Sequence, residues 1–274
     1  MVVRDDGLRT FKLTVEYDGT AFNGWQKQPG KRTVQGELEK AVRKLDPGAS
    51  RVVGGGRTDA GVHAAGQVAS VRMDWGHGTD KLAGALNSDL PGDVAVVEAG
   101  ERPRDFDARR DARERSYRYV ILNRRSRSPL LDRYACRVPY ALDTAAMRKA
   151  AATFLGRHDF AAFCSADARE KGTVREIAEC ALVRRGDLIL LNVSAPGFLH
   201  RMVRLIAGAL LAAGSRRLSP DRIRTALRGG ATGHLADAAP ARGLVLLGVG
   251  YPGDPPRVPA WPASGSAIFR RGGS

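Results

Sequence analysis

The chain runs to 274 residues, enough for one large domain or two small ones, and carries 44 Lys and Arg against 29 Asp and Glu for a formal charge of +15. Such an excess favours a polyanionic partner, because every phosphate neutralised releases condensed counterions. Cys136, Cys164 and Cys180 make neither C-x-x-C nor a zinc pattern, the histidines show no metal-ligand spacing, and the best apolar stretch, Leu205 to Gly214, is far short of the ~20 residues that span a bilayer.

From the N-terminus, Met1 to Phe11 carries Arg4, Asp5, Asp6 and Arg9 and lacks an apolar signal region. With thiols that suit a reducing compartment, this describes a soluble cytoplasmic protein that uses no metal and no cofactor. Phe11, Leu13, Val15 and Tyr17 alternate with polar residues, the period of a half-buried strand. Val34, Leu38, Ala41, Val42 and Leu45 then follow helical spacing, with Thr33 placed as N-cap. Arg51 to Gly54 and Gln67 to Met73 read as strands flanking a loop. Leu82, Ala85 and Leu86 suggest a short helix, ended by Pro91-Gly92 before a strand at Val94 to Glu98.

A second pass of the same kind starts at Ser116, where Tyr117, Tyr119 and Ile121 alternate with Arg118, Val120 and Leu122. A helix is predicted over Asp143 to Leu155, then a hairpin of Thr173 to Arg184 and Leu188 to Ser194 across Arg185-Gly186-Asp187. Met202 to Leu210 has helical spacing, a shorter helix starts at Pro220 with Ser219 as cap, and the last strand is Gly243 to Gly250. Strands and helices mix without the alternation a wholly parallel sheet requires, so the class is α+β: two mostly antiparallel half-sheets flanked by helices, with a central basic cleft. The expected division is residues 1–110, residues 111–252, and a flexible Pro-, Gly-, Ser- and Arg-rich tail, 253–274.

Between the first two flanking strands, residues 54–64 pack Gly54-Gly55-Gly56, Arg57, Asp59, Gly61 and His63 into eleven positions. Glycines let a backbone take φ > 0 and let a ligand come close. Such loops are usually plain turns with a capping Asp. A phosphate loop would need a Lys that is absent, and the dinucleotide fingerprint is not met. Two readings stay open: a plain turn, and a nucleophilic Asp59 on a loop that an RNA base can reach. Downstream, twelve Arg against six Asp or Glu lie between Glu101 and Arg137, interleaved with Tyr117, Tyr119 and Asn123. That pattern suits a solvated face, or phosphate clamping with base stacking.

Gly56-Arg57-Thr58-Asp59-Ala60-Gly61-Val62-His63-Ala64 resembles the signature of the tRNA pseudouridine synthase A family. The resemblance continues through Glu16-Tyr17-Asp18-Gly19-Thr20, Gly24-Trp25-Gln26, Phe106-Asp107-Ala108-Arg109, Tyr117-Arg118-Tyr119, His158-Asp159-Phe160, Phe198-Leu199 with Met202-Val203-Arg204, and Gly243-Leu244. It implies an isomerase that converts uridines 38, 39 and 40 of the tRNA anticodon stem-loop to pseudouridine, working as a homodimer on a flipped-out base. By the same resemblance Asp59 is the nucleophile, Arg204 its ion-pair partner, and Tyr117 packs on the target base and takes the C5 proton. Leu244 closes the pocket. Arg57, two residues before Asp59, is placed to fill the space a flipped base leaves or to hold a phosphate, and Lys27, Arg109 and Arg118 are candidate RNA-backbone contacts. His63, His158 and His200 read as structural or RNA-contacting. Arg110-Asp111 and Tyr134-Ala135-Cys136 depart from the family pattern. The alternatives are the same chemistry at other RNA positions, and a non-catalytic RNA-binding protein.

Overall fold

The computed structural model describes residues 7–169, 172–230, 233 and 235–254. Strand β1, Arg9–Tyr17, buries Phe11, Leu13, Val15 and Tyr17 on one face, as their alternation requires. Helix α1, Val34–Leu45, starts where predicted: Thr33 Oγ1 accepts the Gly36 N–H at 3.3 Å, and Val34, Leu38, Ala41 and Val42 join the same core. Strand β2 is only Val53–Gly54, shorter than predicted, because the Val52 carbonyl accepts from Gln35 Nε2 of α1 at 2.8 Å. Strand β3, His63–Met73, begins four residues before the expected Gln67. Its first half is buried on both faces, so no alternation marks it.

Helix α2, Thr79–Asn87, and strand β4, Val94–Arg102, follow. The Asn87 amide pairs with both backbone groups of Val96, at 2.9 and 2.7 Å, and ties the two together. Strand β5 is Glu114–Asn123, and β6, Cys136–Val138, lies parallel to it. Helix α3, Thr144–Ala151, capped by Asp143, is shorter than the predicted 143–155 because its end tightens into a 3-10 turn at Ala152–Phe154.

The strand predicted over 173–184 is divided. Strands β7, Gly156–Asp159, and β8, Val174–Ile177, form their own two-stranded ribbon, with the single-turn helix α4, Ala166–Arg169, between them. Strands β9, Glu179–Arg185, and β10, Leu188–Ala195, make the expected hairpin, with Gly186 at φ 57° in its turn. The break falls at Ala178, whose N–H goes to the Ser194 carbonyl. Helices α5, Met202–Gly214, and α6, Pro220–Thr225 with its Ser219 cap, lead to β11, Leu244–Gly250.

The main sheet has the order β4-β1-β3-β11-β5-β10-β9, with β2 beside β3 and β6 beside β5. It resolves into the two antiparallel half-sheets expected, joined by a parallel contact of only two register pairs, Val245 with His63 and Leu246 with Ala64. At this seam a side chain on Gly66 would stand 2.3 Å from the Leu247 carbonyl oxygen, so glycine lets the strands meet. The helices cover one face in a single core with Tyr117, Tyr119 and Ile121; Val120 and Leu122 pack on the other face. No helix among the described residues is long and apolar enough to cross a membrane. Residues 255–274, most of the expected tail, lie outside the described residues, as does His234.

Candidate active site at the seam

The loop from Gly55 to Val62 enters β3 at the seam. Gln67 works there as a substitute strand: its Oε1 accepts the Gly56 N–H at 3.2 Å and its Nε2 donates to the Gly56 carbonyl at 2.9 Å. The Thr58 carbonyl accepts the Trp25 N–H at 3.0 Å, and the Thr58 and Tyr17 hydroxyls share a 2.8 Å hydrogen bond. Of the loop glycines only Gly61 has a positive φ, 77°. Gly54 and Gly55 are needed for space instead, because a side chain would meet Trp25 Nε1 at 2.3 Å or Tyr251 Oη at 2.6 Å. Arg115, read from sequence only as one of a basic run, braces the loop. It donates to the Gly55 carbonyl at 3.0 and 2.6 Å, to Arg109 O at 3.0 Å and to Pro196 O at 2.6 Å.

Asp59 follows with its carboxylate turned to the first turn of α5. Arg204 Nη1 donates to Asp59 Oδ2 at 3.0 Å, and Arg204 Nε donates to the Ala239 carbonyl at 2.9 Å. The side chains are 23% and 18% exposed, so the pair is partly rather than fully buried. His200 Nε2 lies 3.5 Å from the other oxygen, Oδ1. Sequence spacing gives His200 no such place, because it lies before α5 and the left-handed Arg201 breaks the helical periodicity that would have linked it to Arg204.

Tyr117 is buried on the helix side of β5, with Phe198 edge-on at 5.3 Å. Burial first, then the nearby Tyr17 and Asp59, push its hydroxyl pKa far above the usual tyrosine value, so it stays protonated at neutral pH. Leu244, buried, opens β11 opposite Tyr119.

The remaining candidates separate. Arg57 and Arg109 are exposed and close enough for mutual repulsion, which, after burial, lowers the Arg57 pKa; neither has an ion-pair partner among the described residues. Arg118 sits on the other face of β5 from Tyr117, donating to Asn192 Oδ1 at 2.8 Å, and is not brought to Asp59. Lys27 is paired with the buried Glu39 carboxylate at 2.8 Å. His158 Nε2 contacts the Leu155 carbonyl, away from the loop.

His63, first in β3, accepts the Gly19 N–H on Nδ1 at 3.0 Å, which leaves its proton on Nε2 for the Arg133 carbonyl at 2.8 Å. Tyr134 packs against that ring, tilted at 56° with centroids 5.0 Å apart, and donates to Asp18 Oδ2 at 3.0 Å. The Arg-rich segment 124–137 is thereby fastened to the seam through one of its departures from the family pattern. The other departure, Arg110-Asp111, closes on itself in a 2.9 Å ion pair.

The arrangement offers one partly exposed carboxylate with Oδ2 held by Arg204 and Oδ1 3.5 Å from His200 Nε2. Among the described residues no group of three or more His, Cys, Asp or Glu could hold a metal ion. Comparison with known proteins identifies the family. The family profile described as tRNA pseudouridine synthase matches residues 13–111 and 150–252. A tRNA pseudouridine synthase A of Caldicellulosiruptor bescii is 43% identical over 89% of this chain and all of its own length. The Methylobacterium nodulans protein of the same name is 47% identical, covering 88% of this chain and 96% of its own. A chain in the crystal structure of a Cbf5-Nop10-Gar1 complex aligns with 87% of this chain and 58% of its own, at 11% identity and a TM-score of 0.34, too remote to add to the assignment. The chain belongs to the tRNA pseudouridine synthase family.

Proposed function

We propose that the protein isomerises uridines 38, 39 and 40 in the tRNA anticodon stem-loop to pseudouridine, with Asp59 as nucleophile on a flipped-out base. The reaction breaks the N1 glycosidic bond, turns the base and joins C5 to the ribose. It needs a carboxylate that can add and leave, and a base removed from the stack. The observation that carries the reading is a partly exposed Asp59 carboxylate paired through Oδ2 with Arg204. Arg204 supplies the countercharge an ionised carboxylate needs once substrate excludes water.

In this reading the segment 1–110 supplies Asp59 and Arg57, and 111–252 supplies Tyr117, Arg204 and Leu244, so the base is held between the two. Tyr117, neutral and ring-packed, lies against the base, and its hydroxyl takes the C5 proton in a relay that releases its own proton to solvent as the product rearomatises. Arg57 and Arg109, unpaired and exposed, meet phosphates. The arm is wide relative to one chain, and the family resemblance favours a cytoplasmic homodimer.

Carbodiimide labelling and primer extension on tRNA transcripts treated with the protein test the reading. Stops at positions 38–40 support it. Stops elsewhere favour the same chemistry on other RNA positions, and tight binding without any stop favours a non-catalytic RNA-binding protein.

A further inference from the structure

We propose that His200 is a positioning residue for Asp59, the exchangeable partner that holds the attacking oxygen Oδ1 while Arg204 permanently holds Oδ2; the inference rests on Asp59 being the nucleophile. A carboxylate tied at one oxygen still swings about its last torsion, which is broad for Asp. Arg204 gives one point of attachment, at 3.0 Å. His200 Nε2, 3.5 Å from Oδ1, gives the second.

The proton on that nitrogen follows from the other side of the ring. Ser165 Oγ is 2.8 Å from His200 Nδ1, and Asp167 Oδ2 is 3.5 Å from it. If Nδ1 accepts the serine proton, the neutral ring carries its own proton on Nε2. If the ring is an imidazolium between two carboxylates, both nitrogens carry one. In both of these states an N–H points at Asp59 Oδ1; a neutral ring with its proton on Nδ1, towards Ser165 and Asp167, places none there and is the state the glutamine variant tests against.

The backbone is shaped for this. Arg201, the next residue, is held at φ 63°, a left-handed conformation that residues with a Cβ rarely adopt and that collects at functional sites. The Ser165 N–H donates to the His200 carbonyl at 3.2 Å, so Ser165 grips both ends of the residue. At 45% exposure and 3.5 Å, His200 can part from Oδ1 when a uridine enters, which the Ala239-locked Arg204 cannot.

Single-turnover kinetics on the full chain with tRNA separate the roles. His200→Ala should lower kcat about tenfold with KM unchanged within about twofold. His200→Gln, whose amide nitrogen reaches the same point, should restore most of it, and Ser165→Ala should lose activity in the same direction but less. An unchanged kcat in His200→Ala, a loss confined to KM, or a glutamine no better than alanine overturns the proposal. A measurement without RNA covers misfolding and inactivity. The 13C carboxyl resonance of Asp59, assigned by its loss in Asp59→Asn, should shift between the wild type and His200→Ala and return towards the wild-type position in His200→Gln. Identical positions in the wild type and His200→Ala overturn the proposal. A wild type that turns over no tRNA yet shows that shift would sink the isomerase reading and leave the contact established.

Discussion

Arg204 Nη1 and Asp59 Oδ2 are joined at 3.0 Å across 145 positions of sequence, and the same guanidinium is fixed from behind by the Ala239 carbonyl. Two separate anchors on one planar group make arginine hard to replace here. Arg204→Ala should reduce kcat by about 10²-fold or more. Arg204→Lys keeps the charge but cannot hold both anchors, and should fall between. Single-turnover rates with both variants check the order, and a lysine variant at the wild-type rate would show that only charge matters.

Tyr117 is read as the relay for the C5 proton, passing its own hydroxyl proton on as it takes that one. Tyr117→Phe keeps the packing against Phe198 and removes only the oxygen. Its melting temperature should stay near that of the wild type while product formation slows by about 10²-fold. A rate within a factor of two of wild type would confine Tyr117 to packing.

Arg115 bridges the Gly55, Arg109 and Pro196 carbonyls, so its loss frees acceptors on three loops at once. Arg115→Met should cost about 2–4 kcal/mol of stability, read as a lower urea midpoint.

How much of this was legible varied with the element. The strand at Phe11–Tyr17 and the helix after Thr33 announced themselves, because one buried face and a cap are local properties. Strands of three or four residues, such as Cys136–Val138 and Gly156–Asp159, hold too few residues for a period to form and exist through their partners. The head of the strand at His63 was invisible because both its faces are buried. Asp59, Tyr117 and Arg204 were named by family resemblance; nothing in local spacing pairs residues 145 apart. His200 was passed over because the reaction calls for no histidine and because the turn at Arg201 that aims it is left-handed, a conformation unmarked by glycine.

Burial, opposed by Asp18, lowers the His63 pKa below its ordinary 6.5. The unfolded chain therefore binds that proton more readily than the native protein, so stability present above about pH 6.5 falls as the pH drops below it. Urea midpoints should decline from about pH 7.5 to about pH 5.5, and the decline should be shallower in His63→Gln.

Arg57 and Arg109 are exposed cations beside the loop with no ion-pair partner among the described residues. Replacing either with alanine should weaken RNA binding and reduce the slope of log affinity against log salt by about 1, measured by filter binding over a salt series.

The most direct test of the central claim is tritium release from tRNA transcripts labelled at uridine C5, comparing the wild type with Asp59→Ala and Asp59→Asn. The wild type should release tritium, and both variants should release none while still binding the RNA. Release by either variant at the wild-type rate would contradict the assignment of Asp59, and tight binding without release by the wild type would contradict the isomerase itself.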